Sequence, residues 1–80
     1  MSSNDPIVIS AFYKFVELPD YRNLHADVLT HVELAGMTGS FLLAPEGING
    51  TIAGSRAGTD AFFAWLRSEP RFVDLETKES

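Results

Sequence analysis

Cysteine is absent from the 80-residue chain. Its absence removes disulfides, thiolate metal sites and a cysteine nucleophile from the chemistry of this chain. It is compatible with a reducing compartment, and a cytoplasmic location is the expectation. Basic residues are few. Lys14, Arg22, Arg56, Arg67, Arg71 and Lys78 are spread out against eleven Asp and Glu, for a net charge of −5. Nucleic-acid affinity depends mostly on neutralising phosphates, so this chain alone is expected to bind RNA or DNA weakly or not at all. No apolar run approaches the roughly 20 residues that span a bilayer, so no membrane partner is expected. The opening Met1-Ser2-Ser3-Asn4-Asp5-Pro6 lacks the basic and apolar regions of a signal peptide. Residues 1–6 read as a disordered lead-in and residues 7–80 as one domain.

Apolar residues, by contrast, are plentiful: 45 % of the chain, six Phe among them, enough to build a core at a length where cores are marginal. Ile7 to Val16 is rich in β-branched and aromatic residues and reads as a strand. Alternation places Ile7, Ile9, Ala11, Tyr13 and Phe15 on one face, and Val8, Ser10, Phe12, Lys14 and Val16 on the other. Both sets are largely apolar, the pattern of a central strand covered on both sides. Asp20, after Leu18-Pro19, is placed to cap a helix whose buried stripe is Tyr21, Leu24, Val28, Val32 and Ala35, with Gly36 closing it. Thr38 to Ala44 and Asn49 to Ala53 read as the second and third strands. Ser55 or Thr59 caps a second helix with Ala61, Phe62, Trp65 and Leu66 on its apolar side, and Pro70 stops it. Phe72 to about Lys78 makes a last strand, which Glu76, Lys78 and Glu79 mark as an edge.

The order strand–helix–strand–strand–helix–strand, with right-handed crossovers, gives an α+β, ferredoxin-like (acylphosphatase-like) βαββαβ sandwich. The expected spatial order is 4-1-3-2, with both helices on one face of an antiparallel sheet. The outward apolar face of the first strand then needs a cover: a further part of a longer chain, a partner, or a second copy.

Chemistry is sparse. His25 and His31 are six apart, roughly 120° around a helix, so they share no metal site and are expected to be solvated. The turn residues Pro45, Glu46, Gly47, Asn49 and Gly50 form the candidate functional turn. In it Glu46 is either a specific acid or a solvated loop residue, and Asn49 is read first as tolerant of a left-handed backbone. Gly47-x-x-Gly50 lacks the lysine and the following helix of a phosphate loop. Phe12 and Tyr13 on a central strand have counterparts in RNA-recognition modules, but the third strand here offers Thr51, Ile52 and Ala53 where those carry aromatics. An acylphosphatase-type hydrolase needs a cationic anion-binding loop after the first strand, where this chain has Glu17-Leu18-Pro19-Asp20. A small-ligand-binding or dimerisation module of the same fold is the alternative from another class.

The run Phe12-Tyr13-Lys14-Phe15-Val16, the segment Leu42-Leu43-Ala44-Pro45-Glu46-Gly47-Ile48-Asn49-Gly50-Thr51-Ile52-Ala53-Gly54 and the closing Lys78-Glu79-Ser80 resemble the N-terminal domain of the rhodanese-domain tRNA uridine-34 hydroxylases. The resemblance implies that this chain is one domain of a longer oxidoreductase of tRNA processing. In that parent a C-terminal rhodanese domain carries the active-site cysteine, and molecular oxygen is the co-substrate for making 5-hydroxyuridine at the wobble position. It places no catalytic residue, metal or cofactor on this chain. The role it implies here is structural or substrate-orienting, with tRNA and the rhodanese domain as partners of the parent.

Overall fold

The structure, a computed structural model, describes residues 6–80, so the lead-in expected at 1–6 lies outside the described residues except for Pro6. Four strands, β1 (Val8–Phe15), β2 (Thr38–Ala44), β3 (Gly47–Gly54) and β4 (Glu76–Glu79), form an antiparallel sheet in the order β2-β3-β1-β4. Helices α1 (Tyr21–Leu34) and α2 (Arg56–Arg67) complete the βαββαβ order, and a short 3₁₀ turn spans Pro70–Phe72. This is the ferredoxin-like sandwich expected, with β1 inside the sheet and β4 at one edge.

Alternation along β1 sorts its side chains. Ser10 and Phe12 are buried against the helices, while Ile9, Tyr13 and Phe15 point away from them and are exposed. Beneath the helices, Phe12 meets Phe62 and Phe63 edge-on at 6.3 and 5.5 Å, and Ile48, Ile52, Val28, Leu66 and Phe72 are among the residues that complete the core. Such edge-to-face contacts suit the charge distribution of the rings and add to the gain from burial.

α1 ends as its sequence dictates. Gly36 takes φ +68°, its N–H donates to the Glu33 carbonyl, and the Met37 N–H donates to Val32. This two-bond closure satisfies carbonyls that the helix leaves free. The start of α1 departs from expectation, because Asp20 makes no side-chain cap. Its carboxylate is engaged by the Arg71 guanidinium at 2.6 and 3.1 Å, and that charged, two-pronged contact outcompetes a backbone N–H. α2 is capped by Ser55, whose hydroxyl accepts from the Gly58 N–H at 2.9 Å.

Two further expectations are corrected. α2 buries Phe62, Phe63 and Leu66 while Ala61 is exposed, because the larger ring at position 63 gains more from burial than a methyl group does. The last strand is shorter than expected. Phe72 is buried within the 3₁₀ turn, and pairing starts only at Glu76. Pro70 presets the turn, Glu69 caps it through the Arg71 N–H, and Phe72 and Leu75 reach the core from it rather than from a strand.

Candidate functional site

The hairpin between β2 and β3 reverses over only two residues, Pro45 and Glu46. The third strand therefore begins at Gly47 rather than Asn49, so Gly47, Asn49 and Gly50 lie in β3 and not in the turn. Two-residue hairpins favour turns with positive φ, which the Pro45 ring forbids. Among the described residues only glycines have positive φ, so Asn49 is ordinary strand and not left-handed. The unusual angle falls on Gly47, at φ +150°, where a Cβ would lie 2.1 Å from the Lys14 carbonyl oxygen. A side chain at position 47 would push β1 and β3 apart.

The turn is also bound from below. The Val16 N–H donates to the Glu46 carbonyl and the Leu18 N–H to the Pro45 carbonyl, both at 2.9 Å. The segment after β1 thus runs as a strap along the hairpin. Pro45 and Gly47 serve this docking, and at Gly50 a Cβ would meet Phe41 and the Ser40 carbonyl at 2.7 Å. The strap also takes up two N–H groups of the loop after β1, those of Val16 and Leu18, and Leu18 is fully buried.

Two of the five candidate residues carry exposed polar side chains. Glu46 and Asn49 are exposed and line, with Tyr13, Phe15, Leu42 and Ala44, a concavity of about 610 Å³ on the open face. Asn49 is the strand partner of both Tyr13 and Leu42. Tyr13 and Phe15 stand edge-to-face at 5.8 Å, and the Tyr13 hydroxyl donates to Glu76 Oε1 at 3.3 Å. Sequence alternation identified the Tyr13–Phe15 side but not its hollow, which depends on the register of β1, β3 and β2.

The histidines are not simply solvated. His31 stacks on Trp65 with centroids 3.7 Å apart and planes within 8°, and His25 leans on Phe41 at 4.9 Å. Among the described residues no cluster of three His, Asp or Glu is arranged to hold a metal.

Most cations are spent on structure. Arg71 joins Asp20 and Glu69, Lys14 joins Asp74 at 2.9 Å, and Arg56 joins Glu79 and Asp60. Arg67 donates to the Leu75 carbonyl at 3.0 Å and sits over the Phe63 ring. The side-chain bonds from Arg71 hold the Asp20 and Glu69 carboxyls below their ordinary range, and those two acids push the guanidinium up. A bond from Lys14 does the same for Asp74. Among the described residues no helix is long and apolar enough to cross a membrane.

Comparison with known proteins agrees with this geometry. Residues 7–80 match the family described as the UPF0176 acylphosphatase-like domain. A protein of Albidiferax ferrireducens named tRNA uridine(34) hydroxylase is 54 % identical over 71 residues, 89 % of this chain and 22 % of the relative. Another of that name, from Rhizobium leguminosarum bv. trifolii, is 46 % identical over 80 residues, 100 % of this chain and 26 % of the relative. The chain thus spans about a quarter of the length of the curated relatives it matches. By sequence match and by fold, this chain belongs to the UPF0176 acylphosphatase-like domain family.

Proposed function

We propose that this chain is the acylphosphatase-like domain of a longer enzyme that hydroxylates uridine-34 of tRNA, using molecular oxygen to form 5-hydroxyuridine. The reaction belongs to the remainder of that parent, a rhodanese domain with its cysteine. The present domain holds no cofactor and makes no bond; it docks against the rest of the parent and orients the substrate.

One observation carries this reading. The side of the sheet away from the helices exposes Ile7, Ile9, Tyr13, Phe15 and Leu42, with Ile7 65 % and Ile9 43 % accessible. Apolar surface gathered on one face of a sheet in this way marks an interface. The relatives supply a candidate for its cover, since three quarters of their length lies beyond this domain. The Ile7–Ile9 part is aliphatic and suits protein packing. The charge balance supports the division of labour, because cations tied to carboxylates are poor phosphate ligands and most of the phosphate-binding surface then lies elsewhere.

The test compares tRNA affinity of this chain and of the full-length parent at matched salt, alongside mass spectrometry of the tRNA product. The parent is expected to bind tightly with a steep salt dependence and to form 5-hydroxyuridine, while the isolated chain binds weakly. Comparable affinities and salt slopes would contradict the proposal. Sedimentation of the chain separates the dimerisation alternative, for which a stable homodimer would be the signature.

A further inference from the structure

The open face has two unlike ends. Around Ile7 and Ile9 it is aliphatic, whereas at the hairpin it is hollowed, aromatic, and edged by a carboxamide and a carboxylate. An apolar side chain seated in that hollow would offer Asn49 and Glu46 no hydrogen-bond partner in place of the water it displaces from them. A flat ring with donors and acceptors along its rim would satisfy both. We propose that this concavity receives a single unstacked nucleobase, its ring face on Phe15 and its edge on Asn49 and Glu46. The proposal rests on the tRNA reading above and assigns that substrate a contact site on this domain.

Each part of the hollow has a matching role. Phe15 presents most of its ring to solvent, and Tyr13 buttresses it edge-on, held in turn by Glu76. Stacking on such a ring suits any base, because every base has a π-face. The Asn49 carboxamide carries both donors and an acceptor, and the Glu46 carboxylate only accepts. Uracil fits that set: its N3–H donates to Glu46 or to Asn49 Oδ1, and its O4 accepts from Asn49 Nδ2. No Lys or Arg lines the hollow, and Glu46 and the nearby Glu76 are acidic. The base is therefore read without its phosphate. This differs from the stacking strands of RNA-recognition modules, since Phe12 is buried and the exposed pair is Tyr13 and Phe15 on one strand.

The site is tested by titrating the isotope-labelled chain with uridine and then with uridine 5′-monophosphate, following backbone amide shifts. Shifts are expected at Tyr13, Phe15, Leu42 and Asn49, with the nucleoside binding more tightly than its phosphate. Phe15→Ala is expected to weaken binding about fivefold or more, the lower range of one base–aromatic stack. Asn49→Ala and the isosteric Asn49→Asp both weaken it, and unchanged spectra elsewhere show that the fold is kept. Shifts confined to another surface, no shift at the solubility limit of uridine, or tighter binding of the phosphate would overturn the proposal. In the parent, the same variants are expected to raise KM for tRNA. Uridine binding here with no tRNA hydroxylation by the parent would remove the hydroxylase reading and leave the site standing. Hydroxylation that is indifferent to both variants, with Phe15 buried by the parent's own chain, would remove the site and leave the reading.

Discussion

The two faces of this sheet are made by the same strands and obey different rules. Phe12 and Phe15 lie three residues apart in β1, yet Phe12 is 3 % accessible and Phe15 81 %. The inner face has closed its contacts with two helices, whereas the outer face, nearly as apolar along β1, is covered by no element among the described residues. Stability thus resides on one side of the sheet and unspent binding capacity on the other.

Truncating a phenylalanine on each side is the sharpest way to break that contrast. Phe12→Ala removes a ring packed against Phe62 and Phe63 and is expected to cost about 3–5 kcal/mol. That is much of the roughly 4–12 kcal/mol typical of 80 residues. Phe15→Ala is expected to change stability by less than about 0.5 kcal/mol, as exposed substitutions do. Chemical denaturation of both variants checks the pair, and equal losses would erase the distinction between the faces.

The hairpin that frames the open hollow comes next. Gly47→Ala combines a positive φ with a backbone clash against Lys14 and is expected to cost about 3 kcal/mol. Gly36→Ala, at φ +68° with nothing within 4 Å, should cost only about 1 kcal/mol. Thermal melts of the two would show whether the turn is a built support for the open face or an ordinary reversal.

A smaller effect belongs to the ion pairs on the helix side. Asp20 and Glu69 have folded values below the ordinary 3.8 and 4.5 because Arg71 bonds to their carboxylates. A lowered folded value means the unfolded chain binds protons first as pH falls. The contribution is present above the ordinary values and is lost as pH drops through the folded ones. Denaturation midpoints should therefore fall on acidification below that range, and Arg71→Gln should flatten the dependence. An unchanged slope in that variant would show the cluster to be idle. The least effect is expected in an acyl phosphate assay, with no turnover, since the loop after β1 carries the acids Glu17 and Asp20 and no cation, and its Val16 and Leu18 N–H groups are bonded to the hairpin.

Periodicity carried most of the fold. The α1 stripe and the alternation of β1 depend on local spacing, and Leu24, Val28, Val32 and Phe12 are buried as that spacing requires. What local spacing missed was decided by distant partners. Asp20 reads as a cap until Arg71, fifty-one residues away, claims its carboxylate. Phe72 reads as strand because its β preference is visible, whereas the capped 3₁₀ turn that buries it depends on the core above. Of the candidate turn residues, the backbone roles of Pro45 and Gly47 follow from the strap formed by Val16 and Leu18, which only tertiary structure reveals. The outward aromatic side was legible in the alternation. The hollow was not, because it arises where Tyr13, Asn49 and Leu42 fall into register across three strands.

Hydroxyl-radical footprinting of this chain and of the full-length parent addresses the outer face directly, since it labels Ile, Leu, Tyr and Phe side chains in proportion to their exposure. Ile7 and Ile9 should be strongly protected in the parent, with Phe15 still labelled until tRNA is added. Equal labelling of Ile7 and Ile9 in both proteins would mean that nothing docks on this sheet.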